Sequence, residues 1–371
     1  MRRNNVMSII FPNTHEESIP ELTAKRTMGS LPFGAEYRLI DFPLSNMVNA
    51  GIRKIGVVTK QNYQSLMDHL GSGKAWGLSR KRDGLFILPP FGNSHMEFNS
   101  RIETLTAISG FLTSSKEDYI LLTDCDVVCN IDYNKLIDSH IQKGADMTIV
   151  YKHGEFPQNF GEALIIEMNT RKKVTSVVVD PNASCVCNFG LNMIFMKREL
   201  LLQLLLECRN KNQTDFKRHL IQNNFNKYKV FGYEFTGPIC VITSREKYFE
   251  ANMKLTDPEF CKHFFNVKYP IYTKVRDDMP TKYGPSSSVS NSIIAEGCQI
   301  EGCIENSVLF RGVKIGENSH ISNCIIMQDT IIEKNCELNY TICDKDVIIH
   351  AENKMTGCRT YPIYIRKSSV I

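Results

Sequence analysis

The sequence predicts an α/β domain built on a mainly parallel sheet, followed by a second, all-β domain wound from hexapeptide repeats. Three observations carry that expectation. Up to about residue 255, short apolar runs of strand character alternate with segments of helical period, the pattern of a sheet covered by helices. From about residue 285 the period becomes six: Leu309, Ile315, Ile321 and Met327 recur in step, with Val313, Ile325 and Ile331 offset by two. A period of this kind, held over more than three repeats, builds a parallel β-helix whose coils stack apolar residues on one another. The third observation is the start of the chain, where Val6 to Phe11 is an apolar run suited to the buried first strand of an α/β domain.

The loop after Phe11 is where a phosphate-cradling, glycine-rich turn is expected, because ligands of such sheets sit beyond the carboxyl ends of the strands. The chain has PNTHEES there instead, with two carboxylates, Glu16 and Glu17. Further strands are expected at Lys54 to Thr59, Tyr119 to Thr123, Met147 to Tyr151 and Asn192 to Met196, and the leucine-rich run Arg198 to Cys208 reads as a helix. Asp124, Cys125 and Asp126 follow the Tyr119 strand and belong on the same functional edge. Two aspartates in this spacing can hold a metal and nucleotide sugar; carboxylates at strand ends also cap the next turn, which is the reading we favour. The expected plan is a first domain over residues 1–255, a linker over 256–285 and a repeat domain over 286–371.

Composition narrows the function. With 371 residues, 42% hydrophobic and 23% charged, the chain has the make-up of a folded globular protein and not of a disordered one. The formal charge of +4 is mild, and the basic runs Lys81-Arg82 and Arg171-Lys172-Lys173 lack interleaved aromatics, so they read as solvated loops and not as a nucleic-acid surface. No apolar stretch reaches the roughly 20 residues that span a bilayer, and no secretory signal opens the chain, so a cytoplasmic location without membrane attachment is expected. The thirteen cysteines have no CxxC pairing and read as reduced thiols, not metal ligands. Cys298, Cys303, Cys324 and Cys336 fall among the repeats, where a small thiol stacks well. His320 and His350 raise the alternative of a hexapeptide acyltransferase with a histidine base; exposed coil corners are the simpler expectation.

Longer stretches carry a resemblance. EYRLIDFPLSNMVNAGIRKIGVVTK at 36–60, GSGKAWGLSRKRDGLFILPPF at 71–91 and the hexapeptide region together resemble bacterial ADP-glucose pyrophosphorylase, glucose-1-phosphate adenylyltransferase, over nearly the whole chain. The resemblance implies a Rossmann-like, nucleotidyltransferase-like domain followed by a left-handed parallel β-helix. Catalytic members carry GGxGTRL after the first strand and then LTxxRAKPA. Aligned without a gap, these fall on NTHEESI and LTAKRTMGS: Asn13, Thr14 and Glu16 replace the glycines, Ser18 the arginine and Met28 the lysine, while Leu22, Thr23 and Arg26 persist. The metal-binding aspartate of LAGDHIY falls on Asp126. Its companion in WxDVGT falls on Val241, and the sugar-phosphate lysine of FVEKP on Asp180.

Glycines let backbone N–H groups approach a triphosphate, and a cation neutralises the charge of the departing pyrophosphate. A carboxylate beside phosphate repels it, one carboxylate holds Mg²⁺ poorly, and loss of each charge-assisted hydrogen bond costs about 1.5–3 kcal/mol. The departures therefore resemble the GlgD-type regulatory subunit of the family. That resemblance implies a non-catalytic chain without a bound cofactor or metal, in a hetero-oligomer, expected to be a tetramer, with a catalytic subunit that carries the Mg²⁺. Two alternatives stay open: a weakly active nucleotidyltransferase using Asp126, and a module sensing a sugar phosphate or other anion through Lys25, Arg26, Arg38 and the tail Arg366-Lys367. Lys25 and Arg26 are singled out because catalytic relatives use basic residues of this segment for effectors.

Overall fold

The computed structural model describes residues 5–13, 16–60, 62–80, 83–89, 100–157, 160, 163–180 and 186–371. The expected Val6 strand forms as Val6–Phe11 and is buried along its length, as an apolar run in the middle of a sheet must be. It pairs in parallel with Lys54–Val58 on one side and Tyr119–Asp124 on the other, and Leu85–Leu88 continues the parallel half. Beyond Tyr119–Asp124 the sheet changes direction. Val186–Lys197 runs antiparallel to it and to Met147–Glu155, while Val174–Asp180 pairs antiparallel with Ala163–Met168. The nine-stranded sheet is thus parallel in one half and mixed in the other. The apolar runs mark only the buried parts of the longer strands, whose polar ends extend as a hairpin-linked arm needing no crossover helix.

Helices cover both faces where the sequence is amphipathic. Arg198–Asn210 buries Leu200, Leu201, Leu204 and Leu205 on the sheet. Arg245–Lys254 starts at an N-cap serine, Ser244, whose hydroxyl accepts from Lys247 N–H. The stretch 256–285 holds a further helix, Pro258–Phe264, capped by Asp257. Phe265, just after it, stacks on Tyr37 with ring centroids 5.0 Å apart, so this part is packed on the first domain. Among the described residues, no helix is long and apolar enough to cross a membrane.

The repeat region forms three five-stranded parallel sheets, one per side of a prism. Its interior columns are Ile300, Ile315, Ile332 and Ile349 on one side and Ile304, Ile321 and Leu338 on another, all buried. Ile300 pairs with Ile315, fifteen residues on, and Ile315 with Ile332, seventeen on, so the corners are tighter than three full hexapeptides. Leu309, Ile315, Ile321, Met327, Val313 and Ile325 are buried as the period implies. Ile331 departs from it: its neighbour Ile332 takes the interior place and Ile331 faces outward. Cys298, Cys324 and Cys336 are buried, with thiols donating to the carbonyls of Phe310, Ser322 and His350, whereas Cys303 sits on an outer face beside His320. Left-handed conformations recur at the coil corners on Asn291, Asn306, Asn323 and Asn335, the residue type that tolerates them best after glycine.

The prism and the sheet domain share one core. Val308, Phe310, Ile325, Met327 and Ile342 of the prism pack in the same cluster as Phe33, Phe42, Tyr248 and Phe249.

Candidate functional site

The carboxyl ends of the parallel strands Val6–Phe11 and Tyr119–Asp124 lie side by side, with Phe11 opposite Asp124. Glu16 folds back over this edge. Its Oε1 accepts from Asn13 Nδ2 at 2.6 Å and from the Met28 backbone N–H at 3.2 Å, and its carbonyl accepts from the Thr23 hydroxyl at 2.9 Å. Burial pushes the Glu16 carboxyl up to about 7, against the pull of Met28 N–H, Asn13 and Lys60. The Met28 side chain is fully buried, Glu17 and Ser18 are exposed, and Thr14 lies outside the described residues.

The Asp124 carboxylate contacts Arg101, whose guanidinium lies 5.0 Å from the Phe11 ring centroid and 5.5 Å from that of Phe216. Asp126 is completely buried, with Oδ2 3.4 Å from Asn192 Nδ2. Asn192 stands in a β-bulge with φ 57°, a conformation that turns its amide onto the aspartate. Val241 pairs with Val127, and Ile242 N–H donates to the Asp126 carbonyl at 2.8 Å, so Asp126 and Val241 are neighbours although far apart in sequence. A divalent ion there would meet one carboxylate and an isopropyl group, which does not suit Mg²⁺. Among the described residues no group of three or more His, Cys, Asp or Glu is placed to hold a metal. Asp180 ends the strand Val174–Asp180.

Beside Val241 opens a cleft of about 470 Å³ lined by Lys152, Phe156, Phe189, Thr243 and Lys247. Its cations are engaged within the chain: Lys152 donates to the Gly237 carbonyl at 2.7 Å, and Lys247 and Lys254 both meet Glu250 at 2.9 Å.

A second polar site lies where the domains meet, and it divides the residues singled out as anion candidates. Arg26 is not an open anion receptor. It is 3% exposed and locked to Asp344 of the prism, whose carboxylate also accepts from the Tyr364 hydroxyl at 2.7 Å and Lys345 N–H at 2.7 Å. Tyr364 OH in turn lies 2.9 Å from the Glu21 carbonyl. Lys25, one residue before, is exposed. Arg38 lines a narrow cavity of about 80 Å³ together with Lys274, Arg276, Arg311 and Lys345; Glu36 and Asp68 are lining carboxylates, and Arg311 lies between Glu36 at 4.0 Å and Asp278 at 3.9 Å. The Arg38 guanidinium is held by Ser65 through its carbonyl and hydroxyl, and burial, with help from Arg26 and Arg276, draws its pKa down to about 10. Lys345 is drawn down to about 7 by burial and by Arg38 and Arg26. His69 in the wall bonds Asp41 at 2.6 Å; burial lowers its pKa, and Asp41 opposes that. Arg366 is exposed and Lys367 meets Asp346 at 3.6 Å, so the tail does not enter this cavity.

Sequence reasoning missed Arg101, Asn192, Asp344 and the cations from Lys274 to Lys345. They stand in no recognisable motif and are assembled only by folding. His320 lies on an open outer face of the prism, and His350 is bonded to Glu333 at 3.2 Å on a different side.

A mixed α/β sheet with Phe11 and Asp124 at one edge, packed on a hexapeptide prism, defines a nucleotidyl transferase fold joined to a repeat domain. Residues 19–256 match the family model described as nucleotidyl transferase, and residues 279–358 that described as GlmU-like, C-terminal hexapeptide. The chain belongs to the GlgD-type regulatory-subunit family of glucose-1-phosphate adenylyltransferases. It is 36% identical to the glycogen biosynthesis protein GlgD of Bacillus subtilis, over 100% of this chain and 98% of that one. It is 35% identical to the GlgD of Geobacillus stearothermophilus over 85% and 82%. To a glucose-1-phosphate adenylyltransferase of Pseudothermotoga lettingae it is 32% identical over 85% and 76%. The nucleotidyl transferase match begins at residue 19, just past the loop that carries Asn13, Glu16 and Ser18.

Proposed function

We propose that this chain is the regulatory, non-catalytic subunit of a glucose-1-phosphate adenylyltransferase in glycogen biosynthesis, acting in a hetero-oligomer, taken to be a tetramer, with a catalytic paralogue. The paralogue makes ADP-glucose and pyrophosphate from ATP and glucose-1-phosphate and holds the Mg²⁺. One observation carries this role: the donors beside the expected phosphate loop, Met28 N–H and Asn13, are taken by the chain's own carboxylate, Glu16. With Met28, Val241 and Asp180 at three further positions, the charge neutralisation on which phosphoryl-type transfer depends is missing. The expected outcome is that the purified chain makes no detectable ADP-glucose, while adding it to the paralogue changes that enzyme's turnover or substrate affinity. Robust synthesis by the chain alone would overturn the proposal.

Anion sensing is a second role, favoured by the five cations around the Arg38 cavity. A phosphate-bearing effector there would touch both domains at once and so bias how they sit on a partner.

A further inference from the structure

The polar donors at the strand edge are occupied, not lost. Gly29 N–H donates to the Pro12 carbonyl at 2.8 Å and Ile40 N–H to the Gly29 carbonyl at 3.0 Å, which fixes the Met28 to Ser30 turn against the end of the first strand. The approach is close: a Cβ on Gly29 would stand 2.7 Å from Pro12 Cβ and 3.3 Å from Cys125 Sγ. Met28 N–H is therefore held in position by contacts that do not involve Glu16. Asn13 stands two residues beyond the end of the first strand. Lys60 adds positive potential. A backbone N–H and a side-chain amide converging on one point beyond the carboxyl end of a parallel strand, with an ammonium near enough to act on it through space, form an oxyanion receptor. The group at that point is Glu16 Oε1.

We propose that Glu16 is a tethered internal anion: its carboxylate occupies an intact oxyanion receptor formed by Met28 N–H and Asn13, and removing it opens that receptor to a phosphate-type anion. The inference rests on the non-catalytic role proposed above. A tethered carboxylate competes as an intramolecular ligand, at an effective concentration that free anion cannot match. Ser18 and Met28 supply no charge, so an opened receptor binds an anion without transferring it.

The test is amide hydrogen exchange, read by mass spectrometry over residues 16–29 of the full chain, with and without millimolar inorganic pyrophosphate. In the unaltered chain pyrophosphate should leave exchange there unchanged. In Glu16→Ala the segment should exchange faster, and pyrophosphate should restore protection by about tenfold. If Glu16→Ala does not fold, Glu16→Ser decides, because its short side chain cannot reach Met28 N–H and leaves the receptor open; pyrophosphate should again protect. Reading this peptide alone separates the receptor from the Arg38 cavity, which anions can also enter. Absence of protection in the folded variant, or equal protection in the unaltered chain, would overturn the inference. Neither result alone bears on the non-catalytic role, which fails only if the unaltered chain makes ADP-glucose.

Discussion

Arg26 and Asp344, 318 positions apart, form an ion pair in which one guanidinium nitrogen, Nη2, donates to both carboxylate oxygens at 2.7 and 2.8 Å, with side chains 4% and 2% exposed. Breaking such a pair strands a buried charge. Arg26→Ala or Asp344→Ala should lower stability in urea denaturation by about 3–5 kcal/mol, whereas Arg26→Met together with Asp344→Leu should recover most of the loss. Single-variant losses below about 1 kcal/mol would show that the pair does not hold the domains together.

Glu16 should make stability depend on pH. Burial raises its folded pKa to about 7 from the ordinary 4.5, so between those values the folded chain binds the proton more tightly than the unfolded one. The contribution is fully present below 4.5 and is lost as pH rises through 7. Glu16→Gln should therefore gain in melting temperature relative to the unaltered chain across that interval, and the difference should level off above it. A difference that does not change with pH would contradict the burial of the carboxyl.

Asp126 is buried against Asn192 with Val241 as its neighbour across the ladder. Asp126→Asn should leave activation of the catalytic paralogue within about twofold in a steady-state assay of the mixed enzyme. Loss of one electrostatic contact in a working site typically costs about 10²–10³ in rate. A drop of that size with assembly preserved would make this subunit catalytic.

Lys345 is held near neutrality by burial and by Arg38 and Arg26, with Asp344 opposing and Lys367 adding to the effect. An anion in the Arg38 cavity, which also faces Arg276, Lys274, Arg311, His69, Glu36 and Asp68, would restore its charge. Calorimetric titration with phosphate at pH 8, in buffers of different ionisation enthalpy, should show proton uptake that vanishes at pH 6 and in Lys345→Gln. Binding without proton uptake at pH 8 would place the anion elsewhere.

Truncation before residue 286 should not yield a soluble first domain. It would remove Val308, Phe310, Ile325 and Met327 from a core shared with Phe33, Tyr248 and Phe249. Light scattering of the truncated chain should report aggregation; a monodisperse fragment would mean that the first domain closes its own core.

Periodicity is local, and local information fixed what it could reach. The apolar run at Val6, the helical period at Arg198 and the six-residue repeats each reflect which side of an element is buried, so they announce strand, helix and prism before any fold is known. Chemistry was legible wherever it depended on one residue type at one place: a carboxylate at Glu16 where glycine belongs, a thioether at Met28, an isopropyl at Val241. What the sequence by itself could not determine is how those side chains are satisfied. Whether Arg26 is an exposed receptor or a buried tie depends on Asp344, more than three hundred positions away, and the same holds for Arg101 with Asp124 and Asn192 with Asp126. The antiparallel pairings in the mixed half of the sheet and the outward turn of Ile331 belong to the same class, since strand direction and the register of tight corners are set by partners across the sheet and not by the pattern along it.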